Sequence, residues 1–304
     1  MNESPSPEGP PRAAQHFAPG LFEGRTAVVT GGGTGLGLEI SRGLAHLGAH
    51  VVIASRSEEH HAPLLEEATR RGWQVEARTL DVREPVSVER AAAEIAESTG
   101  GVDLLVNNAA GNFLCPAERL SARAWRAVLG IVLDGTFYCS SYFGRGMIAR
   151  GAGGQILNIV ATYAWTGMPG VVHSASAKAG VLAMTRTLAV EWARHGIRTN
   201  AIAPGPFHSD GAAERLWPRD GMRERMEEQI PLGRFVTTDE VAGQCLHLLS
   251  PASAYINGEC LVVDGGLSLG RNMWAPGETR GETRGETRGA TPPESPESPE
   301  SPEA

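Results

Sequence analysis

The chain has 304 residues, 41% of them hydrophobic, which suits one large α/β domain or two small ones. Its 27 Lys+Arg against 35 Asp+Glu leave a net charge of −8, and that excludes a broad basic footprint for nucleic acid. No run approaches the ~20 apolar residues of a membrane span, and the four scattered cysteines, with no CxxC pair, read as reduced thiols.

Residues 1–20 hold five prolines and a net charge of −1 and are expected to be disordered. They are neither Arg-rich nor acid-poor, so a mitochondrial transit peptide is not expected. Residues 273–304 are expected to be a disordered, low-complexity tail. Its GETR and PES repeats offer no apolar face, and residues 277–304 carry seven Glu against three Arg, half of the total charge. The chain ends in Pro-Glu-Ala rather than a peroxisomal Ser-Lys-Leu, and a cytoplasmic enzyme is the expectation.

Between these ends β-rich runs occur at 26–30, 50–54, 75–80, 103–106, 155–160, 198–202 and 260–263. Stretches of helical period separate them, among them 37–47, 87–98, 122–148 and 176–194. This alternation predicts a single doubly wound Rossmann domain over residues 21–272, a parallel sheet with helices on both faces. The strands read as apolar throughout, as double-sided cover requires.

The first run leads into Thr30-Gly31-Gly32-Gly33-Thr34-Gly35-Leu36-Gly37 and then a helix. Glycines at 31, 35 and 37 allow a tight turn, close approach to a pyrophosphate and helix-on-strand packing. The helix N-terminus supplies free N–H groups to the phosphates. The second run ends Ala54-Ser55-Arg56, with no acidic residue to hold a ribose 2′-hydroxyl. Arg56 can pair with a 2′-phosphate, so NADP(H) is expected over NAD(H). Asp81, after the third run, is placed to accept from an adenine amino group or to cap the next helix.

Lys178 is the sole lysine among 27 basic residues. A compact, titratable ammonium differs from a planar guanidinium, and its retention in so Arg-rich a chain marks a position that needs it. The motifs TGGGTGLG (30–37), LDV (80–82), NNAAG (107–111), SASAK (174–178) and IAPGP (202–206) together resemble the short-chain dehydrogenase/reductase superfamily over about residues 22–270. The resemblance implies a seven-stranded sheet, a tetrameric assembly and a catalytic tetrad of Asn, Ser, Tyr and Lys. Only the lysine is present: Val132, Ala161 and Ser174 stand at the other three positions.

Asn112, in AAGNF after the fourth run, and Tyr163, after the fifth, lie beyond carboxyl ends of strands, where such sheets bind ligands. With SASAK they resemble the 2,4-dienoyl-CoA reductase branch. That resemblance implies NADPH-dependent reduction of a 2,4-dienoyl-CoA to a 3-enoyl-CoA in unsaturated fatty acid β-oxidation. Tyr163 and Asn112 would be donors to the thioester oxygen, Lys178 would hold the nicotinamide ribose, and Ser174 would fill the vacated tyrosine position. It further implies cofactor contacts from Thr30 to Gly37, including Gly33, Thr34 and Leu36, with Ser55, Arg56, Asp81, Val82 and Asn108. Pro204, Gly205 and Phe207 complete that set. Acyl-CoA contacts are implied at Arg83, Phe113, Ser121 and Arg215, with a substrate lid over about 207–230. Ser121 also reads as an ordinary helix N-cap.

Alternatives are a trans-2-enoyl-CoA reductase, another reductase of acyl-CoA or carbonyl substrates, and a non-catalytic NADP-binding protein. No metal site is expected: His60-His61 has no partner at ligand spacing and reads as a solvated pair, while His173 adjoins Ser174 as a weaker substrate-contact candidate.

Overall fold

Alternate residues of a central strand point to opposite faces, and here both faces are apolar. A computed structural model of the chain describes residues 9–207 and 221–269. β1 (Thr26–Thr30) sends Ala27 and Val29 into one core and Val28 into the other. β4 (Leu104–Asn107) does the same with Leu104 and Val106 against Leu105, and β5 (Gly154–Ile159) with Leu157 and Ile159 against Ile156. With β2 (His50–Ser55), β3 (Val75–Thr79), β6 (Ile197–Pro204) and β7 (Cys260–Val263) they form a seven-stranded parallel sheet of order β3-β2-β1-β4-β5-β6-β7.

One face is covered by α1 (Gly35–His46), α2 (Ala62–Arg71) and, later in the chain, Thr238–Leu249. The other is covered by α3 (Pro85–Thr99) and a helical run predicted as continuous over 122–148. That run is divided. α4 (Ala122–Leu129) passes through a π turn (Gly130–Asp134) into α5 (Gly135–Arg150). Gly135 lies against Val82, where a Cβ would come within 2.7 Å of its side chain, and the Thr136 hydroxyl donates to the Val132 carbonyl at 2.7 Å. The extra residue is absorbed beside this contact, and single-turn π bulges often mark functional sites. The short α6 (Tyr163–Thr166), the long α7 (Val172–Trp192) and α8 (Met222–Glu227) precede α9, the Thr238–Leu249 helix.

Three expectations change. β3 is not apolar throughout: half-buried Glu76 and Arg78 pair at 2.9 Å, as suits a charged edge strand. Of residues 1–20, Arg12–Ala14 form a 3-10 turn, and Ala13 and Ala14 are buried in the α1/α9 core. His61 is buried, not solvated. Residues 1–8, 208–220, which hold most of the expected lid, and 270–304 lie outside the described residues.

Candidate active site

The sheet order reverses beside β1: β2 lies to one side of it and β4 to the other, which opens a crevice at their carboxyl ends. The glycine loop after β1 enters that crevice with positive φ at Gly31 and Gly35. A Cβ on Gly37 would sit 2.2 Å from the Gly31 carbonyl oxygen, so only glycine admits this approach. α1 begins after Thr34 with no side-chain cap, which leaves its first-turn N–H groups for an anion. These features fit a dinucleotide pyrophosphate.

The other expected cofactor residues, Lys178 apart, lie at the carboxyl ends of strands or in the loops that follow them. Thr30 Oγ1 accepts from the N–H groups of Asn108 and Ala109, both at 3.0 Å, and Asn108 Nδ2 donates to the Thr30 and Gly31 carbonyls at 3.0 and 3.2 Å. The loops after β1 and β4 are thereby tied together. Arg56 is exposed and forms no ion pair among the described residues, while Ser55 ends β2. Asp81 accepts from Arg83 Nε at 2.9 Å in a two-pronged pair, and that guanidinium holds its carboxyl below the usual range. Val82 is buried beneath the π turn. Pro204 ends β6, the Gly205 N–H donates to the Val263 carbonyl at 2.8 Å, and Phe207 bridges to Val236.

The reactive group assembles from three elements. α7 buries residues at helical spacing, polar at its start (His173, Ser174, Lys178) and apolar beyond (Val181, Leu182, Ala189). Ser174 and Lys178 are one turn apart on the same face. Tyr163 opens α6 and brings its hydroxyl to 3.0 Å from Ser174 Oγ, and Asn112 Nδ2 donates to the same hydroxyl at 3.5 Å. The Asn112 Oδ1 is held by the Phe113 N–H at 2.9 Å. Burial raises the Tyr163 pKa above its ordinary 10, so the phenol stays protonated at neutral pH and can donate. Lys178 Nζ donates to the Ile159 carbonyl, and burial pushes its pKa down to about 8.

The three vacated tetrad positions differ in environment. Val132 lies buried in the π turn, Ala161 is half-buried, and Ser174 bonds the tyrosine that arrives from elsewhere. Of the residues implied for acyl-CoA, Phe113 packs on His173 with ring centroids 4.4 Å apart. Arg83 lies over Gly130 and is engaged by Asp81, while Ser121 Oγ accepts from Ala124 N–H as the α4 N-cap. Arg215 lies outside the described residues.

Two features carry no signal in the sequence. Asn107 and Asn158 are register partners on β4 and β5, and Asn107 Nδ2 donates to Asn158 Oδ1 at 2.8 Å and to Ser140 Oγ at 2.9 Å. Asn158 Nδ2 continues to Thr185 Oγ1 at 2.9 Å, which joins sheet, α5 and α7 beneath the site. His61, buried and hydrogen-bonded to Ser55 Oγ, is the second. No cluster of His, Cys, Asp or Glu among the described residues could hold a metal, and no described helix is long and apolar enough to cross a membrane.

A family profile described as Enoyl-(Acyl carrier protein) reductase matches residues 31–268. A Bacillus subtilis (strain 168) protein named a "Probable 2,4-dienoyl-CoA reductase", (2E)-enoyl-CoA-producing, is 45% identical over 246 residues, 81% of this chain and 97% of that one. A Danio rerio protein named a peroxisomal 2,4-dienoyl-CoA reductase, (3E)-enoyl-CoA-producing, is 40% identical over 251 residues, 82% of this chain and 83% of that one. Among solved structures, a short chain dehydrogenase from Bacillus anthracis str. 'Ames Ancestor' superposes with a TM-score of 0.75 at 46% identity and covers 83% of this chain and 99% of that one. A gluconate 5-dehydrogenase from Burkholderia cenocepacia J2315, in complex with NADP and tartrate, gives 0.77 at 35% identity, with 81% and 96% covered. The chain is an oxidoreductase and belongs to the short-chain dehydrogenase/reductase superfamily, on the branch that resembles the 2,4-dienoyl-CoA reductases.

Proposed function

We propose that the protein is an NADPH-dependent 2,4-dienoyl-CoA reductase of unsaturated fatty acid β-oxidation. The observation that carries this reading is the convergence of Tyr163 and Asn112 on Ser174, one helical turn before Lys178, where the superfamily's usual tyrosine is absent. Bound NADPH supplies the hydride. A dienoyl thioester accepts it at the far carbon of the conjugated system, and negative charge reaches the thioester oxygen as a dienolate. That oxygen needs donors already in place, an oxyanion-hole task. Ser174 Oγ–H, donating to the Tyr163 oxygen, leaves the phenolic hydrogen for the substrate, and Asn112 Nδ2 keeps a second hydrogen for the same purpose. Lys178 holds the nicotinamide ribose, and the glycine loop, Ser55 and Arg56 hold the phosphates.

The dienolate accepts its proton at one of two carbons. Protonation beside the thioester gives a 3-enoyl-CoA, and protonation two carbons further gives a 2-enoyl-CoA. The names of the Bacillus and Danio proteins divide along this line. The product is the 3-enoyl-CoA. A homotetramer is part of the same reading; the half-exposed strand β7 and the exposed Phe137 on α5 offer apolar surface for it.

NADPH oxidation measured side by side with 2,4-hexadienoyl-CoA, 2-hexenoyl-CoA and a 3-oxoacyl-CoA tests the proposal. Turnover of the dienoyl substrate is expected, with the product double bond located by mass spectrometry or NMR. Turnover of only the 2-enoyl substrate would favour the enoyl reductase that the family profile's description suggests. Turnover of only the 3-oxo substrate would overturn both.

A further inference from the structure

We infer that His61 orients the Ser55 hydroxyl toward the cofactor's 2′-phosphate, and so helps to discriminate NADPH from NADH. The inference rests on the cofactor reading above and adds a residue to it. Ser55 is the last residue of β2, the place where this fold meets the adenosine ribose. Its Oγ lies 2.7 Å from His61 Nε2 and donates to the Ser57 carbonyl at 3.1 Å. A serine hydroxyl has one hydrogen. When that hydrogen is given to a ligand anion, the short contact to His61 is kept by the tautomer that carries Nε2–H, which then donates to Ser55 Oγ.

The direction of this bond matters to the ligand. A phosphate dianion only accepts. Ser55 can meet it by turning its hydrogen outward while its lone pair stays engaged by His61 Nε2–H, a chain in which each bond strengthens the next. Without His61, that lone pair is free to face the anion. The 2′-hydroxyl of NADH both donates and accepts, so it tolerates either orientation of Ser55.

The backbone that carries the imidazole is fixed: the His61 main-chain N–H donates to the Glu58 carbonyl at 2.9 Å and its main-chain carbonyl accepts from the Leu65 N–H at 3.2 Å, while the residue as a whole is 4% exposed. The turn that carries it is pressed onto the phosphate loop: a Cβ on Gly33 would lie 2.0 Å from the His60 carbonyl oxygen. Ser55, His61 and the glycine loop therefore form one packed unit, with exposed Arg56 beside it.

Dissociation constants for NADPH and NADH, read by fluorescence on the cofactor-free protein without turnover, test the inference. His61→Leu should weaken NADPH about tenfold and NADH by less than about twofold, the signature of one lost charge-assisted hydrogen bond. His61→Gln, whose amide can donate to the same oxygen, should recover most of that loss. In a Ser55→Ala background, His61→Leu should have no further effect. Equal weakening of both cofactors, no recovery with glutamine, or additive losses in the double variant would each overturn the inference. A wild-type protein that prefers NADPH while His61→Leu leaves that preference unchanged overturns the inference alone. A wild-type protein that binds NADH as tightly as NADPH overturns the cofactor reading as well.

Discussion

Tyr163 illustrates how much a single side chain depends on its surroundings. Burial keeps its phenol protonated, and Ser174 at 3.0 Å can donate to its oxygen. Tyr163→Phe is therefore expected to lower kcat on a dienoyl substrate by ~10²–10³-fold, the usual effect of losing one oxyanion donor, while the NADPH dissociation constant stays within about twofold. Ser174→Ala removes only a supporting bond and should cost less. Greater damage from Ser174→Ala would show that the serine itself faces the reacting oxygen. Lys178 permits a prediction that needs no substrate. Its folded pKa of about 8 lies below the ordinary 10.5 because of burial. Between those values the unfolded chain binds a proton that the folded chain does not, so stability rises with pH across that window. Below it, both states are protonated and the folded state bears the whole cost of the buried ammonium. Lys178→Met should thus be more stable than wild type at pH 7, with an advantage that shrinks by on the order of 3 kcal/mol toward pH 10.5. Urea unfolding of the cofactor-free proteins at several pH values measures this, and a pH-independent difference would contradict it.

At the scale of elements, local signals and tertiary packing share control. α9 starts with a capping box: Thr237 Oγ1 accepts from the Glu240 N–H at 3.2 Å, and Glu240 accepts from the Thr237 N–H at 2.9 Å. Thr237→Ala should cost about 1 kcal/mol in urea unfolding at neutral pH. The Arg234 guanidinium, with the Thr237 N–H, holds the Glu240 carboxyl down at about 2. Its stabilising contribution is therefore complete above the ordinary 4.5 and is lost as pH falls toward 2. The Thr237-to-Glu240 spacing is visible in the chain, as is the apolar pattern of β1, β4 and β5. The π turn is not. Helical periodicity runs unbroken from 122 to 148, and the π turn is seen only in the fold, next to the close packing of Gly135 on Val82. β3 escaped the apolar rule for a related reason. Edge position follows from the strand order, and an edge strand gains from charge rather than from burial.

At the scale of the whole molecule, the sheet decides which distant residues meet. The chain alone determined the class of fold, the glycine loop and its helix, the absence of an acid at the end of β2, and the sole lysine at 178, since each rests on residue type at short spacing. It also pointed to Tyr163 and Asn112 as displaced partners for that lysine. Only the tertiary structure decided that these two groups, 51 residues apart, come within 3.5 Å, with Ser174 on the same hydroxyl. It likewise decided that Asp81 engages Arg83, that Asn107 and Asn158 share a register, and that His61 turns inward to Ser55. The physical reason is common to all of them. Strand and helix periods fix which way a side chain points, but which side chain it faces depends on register, crossover and helix docking, and those follow from burying the two apolar faces of the sheet together.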